Sequence, residues 1–111
     1  MSESSKAAAD IAELNLGYLL LVQRLIKEDL ATAMFRLGLN RELATLLGRM
    51  TLAQIVQIAS TGHVIFSFRL DAKVLEHAIT PTNLTTKLHQ AHVAIMLAKE
   101  SAETAELAEA A

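Results

Sequence analysis

The chain has 111 residues, with 10 Lys or Arg against 12 Asp or Glu for a net charge of −2, and no cysteine. That length holds one domain with a modest core. The slight acidity removes any general attraction to phosphate, and the lack of thiols excludes disulfides, thiolate catalysis and cysteine-bound metal.

Set against that size, 52% hydrophobic residues and a mean hydropathy of +0.34 exceed what one small globule hides. The excess predicts a core shared between copies. The most apolar run, Leu16–Val22, is far below the roughly 20 residues of a membrane span. Acidic Asp10 and Glu13 precede it, where a signal peptide carries a basic start. The expectation is a soluble, cytoplasmic protein.

Met1–Ala8 is small and polar and reads as a frayed end. From Asp10 to about Glu28 the pattern is helical, with Gly17 as the lone glycine and no proline. Glu13, Gly17, Arg24 and Glu28 form one polar stripe, into which Leu20 and Leu21 intrude. The remaining sides carry apolar residues, so this helix needs neighbours nearly all round. Leu16, Leu19, Leu20, Val22, Leu25 and Ile26 are therefore predicted as the core of an intertwined homodimer.

Asp29 is placed to cap a short helix through Met34, Phe35 and Leu37, ended by Gly38. Asn40 caps a third, Arg41 to Leu47, ended by Gly48. Thr51 with Gln54 is a capping-box pattern for a fourth, running to about Ser60 and closed by Gly62. From His63 to Leu70 the period becomes two, with Val64, Phe66, Phe68 and Leu70 alternating with His63, Ile65, Ser67 and Arg69. That is a strand signal with no ladder partner in the chain, so the segment either pairs with its copy or is merely extended. Asp71 caps a short helix through Val74, Leu75 and Ile79, and Thr80-Pro81 breaks it. Thr82 or Asn83 starts the last helix, whose seam is Leu84, Leu88, Ala91 and Ile95. The alanine–glutamate end, from about Glu100 to Ala111, is predicted to fray. No linker or repeat divides the chain, which reads as one domain with flexible ends at 1–9 and about 100–111. The fold class is mainly α, with a helix-turn-helix-like hairpin and one short extended segment.

Residues 41–60 invite a DNA-reading interpretation, since Ala44 and Gly48 have the spacing of a helix-turn-helix contact and turn. The next apolar position falls on Gln54, however, with Ile55 one place off, and Leu52 to Ser60 contains no Lys or Arg. A reading helix needs such cations for phosphate and guanine, so an ordinary helical hairpin is the better interpretation. Arg24, Lys27, Arg36, Arg41 and Arg49 gather among Glu28, Asp29 and Glu42, as a weak phosphate-facing patch or a normal mixed surface. His89 and His92 share a helix face, yet no acidic residue lies at helical spacing and no third ligand is near, so no metal site is predicted. Met34, Met50 and Met96 read as core filling. No nucleophile elbow, phosphate loop or dinucleotide motif occurs, and the chain is not expected to be an enzyme.

The stretches Leu14-Asn15-Leu16-Gly17-Tyr18-Leu19-Leu20-Leu21, Gln23-Arg24-Leu25-Ile26 and Ala33-Met34-Phe35-Arg36-Leu37-Gly38 resemble the FlhD family. The similarity continues through Leu47-Gly48, Phe68-Arg69 with Asp71, and His92 with Ile95-Met96-Leu97, covering roughly residues 11 to 98. The run includes polar residues that no core pattern requires, and this makes it specific. The resemblance implies a subunit of the bacterial flagellar master transcriptional regulator, an intertwined homodimer that joins a second protein, FlhC. That partner carries a cysteine-bound zinc and much of the DNA contact; no cofactor is implied for this chain. Four FlhD and two FlhC chains would bind upstream of flagellar promoters and help recruit RNA polymerase. Phe35 and Arg36 match the region linked to DNA, and His92, Ile95, Met96 and Leu97 the region linked to FlhC. Phe66 stands where enterobacterial members have a cysteine that can link subunits, so a dimer here holds by packing alone. The acidic tail departs from the basic tails of some relatives. Two other readings remain from the residues: an autonomous helix-turn-helix regulator using residues 51–60, and a scaffold with no DNA role.

Overall fold

The computed structural model describes residues 3–80 and 85–110, with side chains described for 3–80 and 90–104. Among the described residues six helices follow in order: α1 (Glu3–Glu28), α2 (Leu30–Leu37), α3 (Arg41–Arg49), α4 (Leu52–Ala59), α5 (Ala72–Ile79) and α6 (Thr85–Ala110). The fold is mainly α, and no strand occurs among the described residues. The expected start of the last helix at Thr82 or Asn83, and Leu84, lie outside the described residues, as do the side chains of Leu88 and His89.

Four helix starts are set by their own caps. The side chains of Asp29, Asn40, Thr51 and Asp71 accept from the backbone N–H of Thr32, Leu43, Gln54 and Val74. At α4 the box is complete, because the Gln54 side chain accepts in return from the Thr51 N–H at 2.9 Å. The hydrogen bonds from Thr32 also hold the Asp29 carboxyl below its usual range. α1 begins earlier than Asp10 because Ala7-Ala8-Ala9 extends it without a breaker.

α3 runs past the expected stop at Gly48 to Arg49. Here Gly48 serves close packing, since a Cβ on it would lie 3.1 Å from Ile26 Cγ2. The end of α3 is capped from α1, where the Gln23 amide donates to the carbonyls of Leu47 at 3.0 Å and Met50 at 2.8 Å. α2 ends as expected at Gly38, in the left-handed region at φ 68°.

α1 is the central element, with α2, α3 and α4 packed against it, and α6 lying on α2 and α5. Leu19, Ile55 and Ala59 form the middle of the core, flanked by Leu16, Tyr18, Leu47, Met50 and Ile65. α3 and α4 both contact α1 rather than one another, unlike the mutually braced pair of a helix-turn-helix. Ile55, one place off the expected position, is the α4 residue that enters the core, at 1% exposure.

Residues 60–71 are an irregular connection, with bends at 61–63, 65–66 and 70, rather than the strand that the alternation over 63–70 suggested. Asn15, itself fully buried, replaces the missing ladder. Its Nδ2 donates to the carbonyls of Ala59 at 3.1 Å and His63 at 2.8 Å, and its Oδ1 accepts from the Ile65 N–H at 3.2 Å. Tyr18 then stacks on Phe66 with ring centroids 4.3 Å apart. The period-two pattern does not set the faces, since Val64 and Phe68 are exposed while Ile65 and Phe66 are half-buried.

The chain covers itself incompletely. Its radius of gyration is 16.7 Å, against roughly 13 Å for a compact domain of this length. Its accessible surface of 8251 Å² exceeds by about 2,000 Å² that of a compact monomer of its mass.

Candidate functional site

The predicted dimer-core residues divide into two groups. Leu19 and Val22 are closed off by the chain's own helices, at 3% and 0% exposure. Both belong to the chain's own interior, and Leu19 packs there with Ile55 and Ala59 of α4. Leu16, Leu25 and Ile26 are half-buried, and Leu20 is exposed. Leu14 and Leu21 are also exposed, and with Gly17, Tyr18 and Phe66 they border an open cleft of about 510 Å³ along α1. A second apolar area lies on the hairpin, where Leu43, Leu46, Leu52 and Val56 are all exposed. The outer side of α4 thus presents aliphatic carbon where a reading helix would present cations.

Of the candidate residues, Phe35, Arg36 and Leu97 come together at the C-terminal end of α2, whereas no contact there joins His92, Ile95 or Met96 to them among the described residues. Phe35 is exposed at 53%, and Arg36 stands beside it in solvent. Across from them α6 shows His92, Ile95 and Met96 outward, with Leu97 half-buried. Arg69, on the connection between α4 and α5, joins the two. Its Nη1 donates to the Arg36 carbonyl at 2.9 Å. On α6, its Nη2 donates to Ser101 Oγ at 2.9 Å and to the Leu97 carbonyl at 3.4 Å, and its Nε to Glu100 Oε1 at 3.2 Å. The buried Ser101 hydroxyl donates onward to the Phe35 carbonyl at 2.6 Å. α6 is thus tied to the rest of the chain at Leu97, Glu100 and Ser101, where the alanine–glutamate stretch begins.

Both α2 carbonyls lie in the last turn, where intrahelical donors run out. A guanidinium placed there also opposes the negative end of the helix dipole. Gly38 leaves the room for it, since a Cβ at that position would be 2.9 Å from Arg69 Nη2. Gly38→Ala meets both that contact and the left-handed backbone. It is expected to destabilise the chain by about 2 kcal/mol, read as a lower urea midpoint at unchanged slope.

Tyr18, Arg36, Arg69 and Glu100 border a cleft of about 420 Å³. Burial pushes the Tyr18 phenol above its ordinary value of 10.0, and the nearby Arg69 charge pulls part of the way back. A folded chain that binds this proton more tightly is stabilised below the unfolded value, and the contribution is lost as pH rises through the folded value. Tyr18→Phe is therefore expected to flatten the fall in melting temperature above about pH 10, as followed by circular dichroism.

No pattern in the sequence singles out Asn15, Gln23, Arg69 or Ser101 as a determinant of the fold or the site. Their partners lie 24 to 66 residues away, beyond any helical period. The available signals are that Asn15, Gln23 and Arg69 stand among the polar residues of the stretches that resemble the FlhD family, and that Ser101 is a polar residue one helical turn past Leu97. Among the described residues no three His, Asp or Glu side chains converge as a metal site. No helix among them is long and apolar enough to cross a membrane.

The fold and its open faces define a small helical protein with apolar surface suited to cover by other chains. A family model described as "Flagellar transcriptional activator (FlhD)" matches residues 1–103. Relatives named flagellar transcriptional regulator FlhD include one from Cupriavidus taiwanensis, 42% identical over 92% of this chain and 97% of its own length. Another, from Bordetella avium, is 46% identical over 89% of this chain and 92% of its own. A third, from Burkholderia pseudomallei, is 40% identical over 94% and 98%. The chain belongs to the FlhD family of flagellar transcriptional activators.

Proposed function

We propose that this chain is a homodimeric activator subunit that grips flagellar promoter DNA only in company with FlhC. Two FlhC chains would join four copies of it, bring the cysteine-bound zinc, and help recruit RNA polymerase in the cytoplasm. In this reading Arg36 touches a backbone phosphate beside Phe35, and His92, Ile95, Met96 and Leu97 seat FlhC. The open cleft beside Leu14 and Leu21 belongs to the dimer, as does exposed Leu20 on the same helix. The surface excess of about 2,000 Å² per chain supports the dimer, since it is of the size that obligate interfaces remove.

The observation that carries the reading is the outer side of α4. Leu52 is 65% exposed and Val56 46%, and the helix LAQIVQIA holds no cation. Specific binding rests largely on phosphate neutralisation, so a chain of net charge −2 with such a helix cannot hold DNA well alone.

Gel shifts with this chain alone, FlhC alone and both together test it, on promoter DNA over a salt series. Only the mixture is expected to bind specifically. Arg36→Ala is expected to weaken binding nearly uniformly across sequences and to lower the salt slope by roughly one for each phosphate no longer neutralised. Tight specific binding by this chain alone would favour the autonomous regulator and overturn the proposal. Footprints of the complex with no protection near Arg36 would favour the scaffold.

A further inference from the structure

The Arg69 network ties together two faces that are far apart in sequence. The side chain of Arg69 is only 23% exposed. Three of its hydrogen bonds go to α6 and the fourth to the last turn of α2. Ser101 adds a second bridge to the same turn. The backbone oxygens of Phe35 and Arg36 are thus both held by groups whose placement depends on α6.

We propose that Arg69 is a positioning residue that couples the outer face of α6 to the end of α2, so that a partner seated on α6 fixes the direction in which Arg36 points. The two faces themselves rest on the reading above; the joint between them is new. At the contact the buried Ser101 of α6 and the Arg69 guanidinium reach the α2 carbonyls directly. These hydrogen bonds latch α6 to α2, and in the proposal α6 passes between that latched state and a released one. Releasing α6 strips Arg69 of three acceptors and leaves the Phe35 carbonyl without Ser101. A partner that binds latched α6 more tightly shifts the population toward it and orders the α2 end by the same coupling. Arg69 suits this role because its charge is permanent and its planar fork serves several acceptors at once, which a lysine cannot reproduce.

Hydrogen exchange on the full chain, free and in complex with FlhC, tests the coupling. In the parent, exchange at the amides of Leu37, Gly38 and Leu39 is expected to slow on the order of tenfold when FlhC binds. In Arg69→Lys and Ser101→Ala, FlhC still binds but the slowing disappears. Equal slowing in the parent and in both variants overturns the proposal. If Arg69→Lys fails to fold, Ser101→Ala and Glu100→Ala each remove one partner of the network and decide the question in the same way. A second measurement uses promoter affinity of the complex in a double-mutant cycle. Arg36→Ala with Arg69→Lys is expected to lose no more affinity than Arg36→Ala alone, whereas additive losses overturn the coupling. If Arg36→Ala has no effect on DNA, the phosphate reading of Arg36 fails, while the exchange result still decides the joint.

Discussion

Replacing Leu19 with aspartate is expected to abolish folding and self-association together. Leu19 is 3% exposed and packs between Ile55 and Ala59, with Leu16, Tyr18, Leu47, Met50 and Ile65 around it. Apart from the Tyr18 hydroxyl, a carboxylate there finds no cation and no side-chain donor among those neighbours, so burying it costs several kcal/mol. The lost burial of the leucine adds roughly 2 kcal/mol. Against a typical stability of about 5–15 kcal/mol for a domain, that sum removes most of the margin. Circular dichroism should show loss of helix, and sedimentation no dimer. Leu20→Asp is the informative contrast. Leu20 is 43% exposed on the same helix, so its variant should keep the protomer fold and lose only association. A well-folded Leu19→Asp monomer would contradict the placement of this side chain in the protomer's own core.

Asn15→Leu is expected to destabilise the chain strongly, although leucine is similar in size and is the more hydrophobic residue. The substitution leaves the carbonyls of Ala59 and His63 and the N–H of Ile65 without their partner. Each unsatisfied group costs about 1–3 kcal/mol when water cannot reach it. Partial solvent access at His63 and Ile65 softens this, which leaves roughly 3 kcal/mol and a fall in melting temperature on the order of 10 °C. The effect should be local as well as global. Exchange at Ile65 should quicken, and Tyr18 should lose its stacked partner, because Asn15 is what holds the connection against α1. A variant with parent-like melting and unchanged protection at Ile65 would show that the connection is held by packing alone.

Leu19 and Asn15 differ in how visible their roles are in the sequence. Leu19 sits in an apolar helix, and burial of some kind is legible from composition. Which body buries it is not. Periodicity marks a side chain that avoids water, but the cover can come from α4 of the same chain or from a second chain, and the wheel is identical in both cases. Asn15 carries the more important role and is the less visible, since a polar residue in an oily helix reads as an interruption until its partners are located 44 to 50 residues away. Residues 63–70 show the converse. Their alternation satisfies the strand rule, yet a strand also needs a ladder, and a side chain from α1 supplies hydrogen bonds instead.

The residues by themselves determined the starts of α2, α3, α4 and α5, the αL stop at Gly38, the mainly helical class and the poverty of charge on α4. Each is local: a cap and its N–H lie three residues apart, and a glycine's freedom belongs to its own backbone. Tertiary structure alone decided the division of α1 between interior and open surface, the extension of α3 under the Gln23 amide, and the meeting of Phe35, Arg36, Leu97 and Ser101 around Arg69. Those contacts join groups 24 to 66 residues apart. Such pairings depend on how whole helices cross in space, and no short-range pattern encodes that.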